Sequence, residues 1–154
     1  MEEGRLSHKK SKIPEIKAQL KPGTILHLYC DFIENPKDKF VVVVHVDHED
    51  DLLIVFLVNS KISKLIENDP HLKAGQISMK KSVYTFLDHD SHLNCTEVKY
   101  GLDMNYAIDH LLKTPNDYKG DLLDEEKQQI IAFVRISQTI TDVDRTLIMK
   151  SLGG

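Results

Sequence analysis

From Thr24 to Phe32 the chain is rich in β-branched, aromatic and aliphatic residues, and the turn signal Lys21-Pro22-Gly23 stands just before it, so the pattern predicts a strand. Glu34-Asn35-Pro36-Lys37-Asp38 reads as a loop. Phe40 to Val46 then runs as an almost unbroken set of β-branched side chains, too stiff at χ1 to prefer a helix, and predicts a second strand. Charge at His48-Glu49-Asp50-Asp51 interrupts it, and Leu52 to Asn59 resumes in the same style, which makes a hairpin with an acidic tip. Neither strand alternates apolar with polar. A sheet with one wet face would alternate, so both faces are expected to be covered, by a barrel interior on one side and by helices or a partner on the other.

Ser60 to Asn68 predicts a short helix with Ile62, Leu65 and Ile66 on one side, stopped by Asp69-Pro70. Further short strands are expected at Gly75 to Met79, Val83 to Leu87 and Leu93 to Val98. From Tyr100 the apolar period changes. Ala107, Ile108, Leu111 and Leu112 suit a helix that ends before Pro115, and Asp124 is expected to cap a longer one with Ile130, Ile131, Phe133 and Val134 inward. Thr141 followed by Asp144 resembles a capping box and opens a last helix carrying Val143, Leu147 and Ile148. Strands first and helices last is an α+β order. The expected division is a flexible basic arm over residues 1–20, a small antiparallel β-barrel over 21–101, and a helical extension over 102–154 packed on the barrel in one domain.

The 154 residues suit that single domain, which at this size buries roughly 70% of the surface its unfolded chain exposes. An apolar share of 41% beside 29% charged residues excludes disordered, collagenous and coiled-coil chains. The longest apolar stretch, Leu52 to Val58, is far short of the roughly 20 residues of a spanning helix. The first residues also lack the apolar core of a signal peptide, so the expected location is the cytoplasm. Cys30 and Cys95 are too few for a disulfide framework and predict reduced, buried thiols. Arg5, Lys9, Lys10, Lys12, Lys17 and Lys21 make the first residues basic, either as a solvated leader or as an arm that touches nucleic acid, with a helical turn from Ile13 to Leu20. The formal net charge of -4 opposes a broad polyphosphate-coating surface and leaves a local basic groove open.

Several of these features occur in a family order. Lys21-Pro22-Gly23-Thr24-Ile25 enters a strand that ends in Asp31-Phe32; a loop closes at Lys37-Asp38-Lys39-Phe40 before Val41-Val42-Val43-Val44; Leu53 to Ser60 ends in a hydroxyl-bearing segment; and Phe86 to Cys95 follows as a later strand pair. In this order residues 21 to 98 resemble the PemK/MazF-like toxin superfamily. The resemblance implies an SH3-like barrel and a metal-independent endoribonuclease, in which the ribose 2′-hydroxyl of single-stranded RNA attacks the adjacent phosphorus. The family's arginine before the second strand falls on Lys39, and its hydroxyl residue at the end of the third falls on Asn59 or Ser60. An arginine grips two phosphate oxygens with a planar fork, whereas lysine is a single hydrated point donor, so a weakened relative is also implied.

On the residues themselves, Lys37, Lys39, Ser60, Lys61 and Lys64 gather at strand ends, with Lys80 and Lys81 in a following loop; such a set can hold phosphates or simply be solvated. Tyr29, Tyr84 and Phe86 are the candidates for base stacking. His89-Asp90-Ser91-His92 places imidazole, carboxylate and hydroxyl together, with His89 the candidate proton-exchanging residue, since histidine is the side chain suited to that task near neutral pH. The same stretch also suits a polar loop in which Asp90 and Ser91 satisfy the backbone. His45 to Asp51 is rich in ligand atoms but lacks a metal-site spacing, and no phosphate-cradling glycine loop occurs, so neither metal nor cofactor is expected. The expected partners are single-stranded RNA, an antitoxin-like peptide and a second copy in a homodimer, with no membrane. The alternative function is a catalytically silent SH3-like barrel serving as an interaction module in a toxin–antitoxin or phage-related locus.

Overall fold

A computed structural model of the chain describes residues 12–153. Helix α1 spans residues 12–19. It is followed by β1 (Thr24–Cys30), β2 (Lys37–Asp47), β3 (Leu52–Asn59), α2 (Lys64–Glu67), α3 (Pro70–Ala74), β4 (Gln76–Met79) and β5 (Ser91–Asp103). Then come α4 (Met104–Lys113), a 3-10 turn (Pro115–Asp117), β6 (Tyr118–Asp121), α5 (Asp124–Ile136) and α6 (Asp142–Leu152). The fold is α+β. Its strands form one antiparallel sheet in the order β4-β5-β3-β2-β1-β6. The register slips between Val43 and His45, and at two places between Leu53 and Leu57. Such irregularities bend strands and increase their twist, and the sheet curls into a half-barrel with β4 and β6 at its ends.

The pleat explains the unbroken valines. Val42, Val44, Ile54, Phe56 and Val58 point to one face, where Ile130, Phe133 and Val134 of α5 and Ile148 of α6 meet them. Val41, Val43, Leu53 and Val55 point to the other, under Ala107, Ile108 and Leu111 of α4 and Ile13 and Ile16 of α1. The strands are therefore covered on both faces as expected, with helical layers on both sides and the sheet not closed on itself by a β4–β6 pairing. Cys30 and Cys95 are free, buried thiols.

The helical turn expected from Ile13 to Leu20 is present as α1 and docked, with Leu20 buried beside it, while the rest of the arm assigned to residues 1–20 lies outside the described residues up to position 11. Three other expectations change. The 102–154 segment is not purely helical: β6 pairs with β1, Thr24 opposite Asp121, and the Leu122 N–H donates to the Gly23 carbonyl at 2.9 Å. Nor does a break fall at 101/102, because β5 runs to Asp103, whose carboxylate accepts the Asn105 and Tyr106 N–H groups and starts α4 directly. Val83 to Leu87 is a run of turns rather than a strand; Tyr84 and Leu87, three apart, are buried while Val83 is exposed, a turn spacing and not a strand's period of two.

Smaller details follow the same logic. Leu65 and Val143, apolar residues of two predicted helices, are exposed. Asp69, read as a stop, caps α3 through the His71 and Leu72 N–H groups. Leu123, not Asp124, is the cap position of α5, and Asp124, Glu125 and Glu126 load its first turn with the acid that the positive end of a helix favours. Thr141 does cap α6, accepting the Asp144 N–H at 3.2 Å, but the Asp144 carboxylate accepts from the Tyr100 hydroxyl instead of closing the box. Among the described residues no helix is long and apolar enough to cross a membrane.

Candidate active site

The helical cover stops short of one end of the central strands. There a cleft of about 280 Å³ is lined by His27, Lys37, Asp38, Lys39, Phe40, Val58, Ser60, Leu87, Asp88, His89 and Ser91. The middle of β1 and the ends of β2 and β3 form its floor. The turns at 81–90 form its wall, held by the Asp90 carboxylate accepting the Lys81 N–H at 2.9 Å and by the Leu87 N–H donating to the Tyr84 carbonyl.

Of the residues expected to carry chemistry, Lys39, Ser60 and His89 line this one cleft, and so does Lys37. Asn59 does not line it; its side-chain oxygen accepts a hydrogen bond from the Lys39 amine. The pleat accounts for that bond. Lys39 shares the face of Val41 and Leu28, and pairs across the strand with Leu28, whereas His27 pairs with Phe40 on the opposite face. The lysine lines the cleft, yet its amine is held by Asn59 on the face of the sheet that α4 covers. Burial lowers the Lys39 pKa from its ordinary 10.5, with Lys37 and Lys99 adding to the effect. Burial likewise raises the nearby Cys30 thiol to about 11, with Lys39 acting in the opposite sense.

Lys61, Lys64, Lys80 and Lys81 are exposed and outside the cleft lining. Within the lining, the lysines Lys37 and Lys39 are matched in number by the carboxylates Asp38 and Asp88. Of the proposed stacking residues, Tyr84 is buried with its hydroxyl accepting the Leu123 N–H, Tyr29 is exposed outside the cleft, and Phe86 is half-buried against Phe40 with ring centroids 5.2 Å apart. Phe40 is the aromatic ring in the cleft itself. Asp90 and Ser91 satisfy the backbone, the latter donating to the His89 carbonyl at 3.0 Å, and His92 lies in the sheet opposite Asn59. At the acidic hairpin tip, Asp47 accepts the Glu49 and Asp50 N–H groups. Among the described residues no group of three or more histidine, cysteine or acidic side chains is arranged to hold a metal ion.

Sequence reasoning passed over His27. It sits in β1 between the buried Leu26 and Leu28, on the same face as Ile25, and only the β1–β2 register brings it to the cleft. A lone polar residue on the apolar face of a strand was the available signal. Its ring lies 4.6 Å from that of Phe40.

No family model and no curated protein matches the chain.

Proposed function

We propose that the protein is a cytoplasmic PemK/MazF-like endoribonuclease, or a weakened relative, whose curled sheet is a divergent SH3-like barrel and which cleaves single-stranded RNA without a metal. The observation that supports this reading is the gathering of Lys37, Lys39, Ser60 and His89 around one cleft at the open strand ends. A phosphate seated there meets the Ser60 hydroxyl, with the Lys37 and Lys39 charges reaching it from the opposite face of β2, while a base flanking it stacks on Phe40. Attack of the 2′-oxygen on phosphorus needs one group to accept the hydroxyl proton and another to protonate the departing 5′-oxygen; His89 serves in one of these roles. Lys39 stabilises the charge that develops on the phosphorane oxygens once it exchanges Asn59 for substrate.

The test is incubation of a long single-stranded RNA with the purified protein in excess chelator, beside Lys39→Ala and His89→Ala. Fragments ending in a 2′,3′-cyclic phosphate from the wild type, reduced in both variants, are expected. Full-length RNA persisting at high wild-type concentration overturns the reading.

One observation favours a second reading. The Lys39 amine is engaged by Asn59, and Asp38 and Asp88 balance the cleft lysines, as suits a silent barrel that binds an antitoxin-like peptide or a second copy of itself. Light scattering across a concentration series, with and without a candidate peptide, separates the two: a concentration-independent monomer that also cuts RNA removes it.

A further inference from the structure

Behind the cleft lies a charged cluster centred on Asp117. The chain folds back at the 3-10 turn after α4, where the Asp117 N–H donates to the Thr114 carbonyl at 3.0 Å, and β6 then pairs Tyr118 with Leu26. This connection sets Asp117 beside His27, the neighbour of Leu26. One Asp117 oxygen is 2.7 Å from His110 Nε2; the other is 3.6 Å from His27 Nδ1 and 4.0 Å from the Lys119 amine. The side chain is only 18% exposed. Its carboxylate is thus anchored by His110 on one side and turned to the cleft histidine on the other. Lys119 also stands 6.0 Å from the centre of the Phe86 ring, whose neighbour Phe40 packs on His27.

Resting on the endoribonuclease reading, we infer that His27 is the general base of the reaction, and that Asp117 is its positioning residue, with His89 the acid on the other side of the phosphate. With Nδ1 turned to Asp117, Nε2 is the nitrogen left for the cleft that His27 lines. At 3.6 Å the carboxylate stands just beyond hydrogen-bond reach of Nδ1, and its charge on that side favours the tautomer with the proton on Nδ1 and the lone pair on Nε2, the arrangement a base requires once substrate closes the gap. The step balances without any co-reactant. His27 Nε2 takes the 2′-hydroxyl proton, the 2′-oxygen forms its bond to phosphorus, the phosphorus to 5′-oxygen bond breaks, and protonated His89 supplies the proton to that oxygen. The products are a 2′,3′-cyclic phosphate and a free 5′-hydroxyl, and solvent restores both histidines.

Two measurements on the full chain test this. In the first, long-range proton–nitrogen spectra are recorded for wild type and Asp117→Asn, alone and with a non-cleavable 2′-deoxy dinucleotide. The expected result is a His27 ring protonated at Nδ1, an Nε2 signal that moves with dinucleotide, and loss of the tautomer preference in Asp117→Asn. In the second, single-stranded RNA cleavage falls by about 10²- to 10⁴-fold in His27→Ala and His27→Gln. It falls by roughly 10- to 100-fold in kcat, at similar KM, in Asp117→Asn. His27→Gln keeps a polar planar side chain against Phe40, and the unfolding midpoint of each variant separates lost chemistry from lost fold. A wild type that leaves RNA whole removes the endoribonuclease reading and the base with it. A wild type that cuts RNA while His27→Gln cuts as fast, or a His27 ring protonated at Nε2, overturns the inference alone.

Discussion

Along β2 one strand meets two environments. Val41 to Val44 have no exposed surface, because each alternate valine is met by a helical layer. From Lys37 to Phe40 the same backbone pairing with β1 continues, yet the side chains are half-buried or exposed and border a cleft. The pairing is common to both stretches; only the cover differs. Where cover ends, the strand becomes available to a ligand, and the pleat then selects which side chains serve it. Asp38 and Phe40 share the cleft face with His27, whereas Lys39 turns to the far face and finds Asn59.

This contrast can be broken at several points. The largest effect belongs to the sealed part: Phe56→Ala, truncating a side chain with no exposed surface, is expected to cost ~3–5 kcal/mol in urea unfolding. Alkaline titration comes next. Burial holds Cys30 at about 11 against an ordinary 9.0, so the folded state favours the neutral thiol. Its stabilising contribution is complete below pH 9 and is lost as pH rises through the folded value, by up to about 3 kcal/mol. Unfolding curves at pH 8.5 and 11 check this, with Cys30→Val expected to show the smaller loss.

Gly75→Ala sharpens the role of the α5 layer. A Cβ there would lie 2.4 Å from the Thr96 methyl and 2.7 Å from the Phe133 ring, and such overpacking is expected to cost ~1–3 kcal/mol. A smaller loss of about 1 kcal/mol is expected for Thr141→Ala, which removes the cap of α6. Smallest is the stability change on Lys37→Ala at the exposed rim, within about 0.5 kcal/mol, while retention of single-stranded RNA on a filter weakens. A large stability loss there would mean that the cleft end is as tightly built as the valine block.

These two stretches were unequally legible. Four consecutive valines announced cover on both sides, and the period change after Tyr100 announced the helices that supply part of it, because these signals are local. Lys37, Lys39 and Ser60 were legible as a strand-end group because strand ends of a meander gather together, but Lys61, Lys64, Lys80 and Lys81, read with them, lie outside the cleft, and His89 comes to it from a separate run of turns. The rest depended on contacts across the chain. Nothing in Tyr118-Lys119-Gly120-Asp121 marks a strand until β1 lies beside it, and nothing near His27 names Asp117 as its neighbour. The separation of Lys39 from His27 was implicit in strand parity, but parity becomes informative only when the pairing partner is known.

The β1–β6 pairing has a consequence for synthesis of the chain. Strand β1 can join β2 as soon as the first hairpin leaves the ribosome, but its other edge waits for residues Tyr118 to Asp121, nearly a hundred positions later. Until then Thr24 to Leu26 present open backbone donors and acceptors, and the valine face that α5 and α6 cover stays open longer still. A chain ending at residue 101 thus leaves one edge of β1 unpaired and both valine faces without α4, α5 and α6, so the last third of the protein completes the sheet as well as covering it.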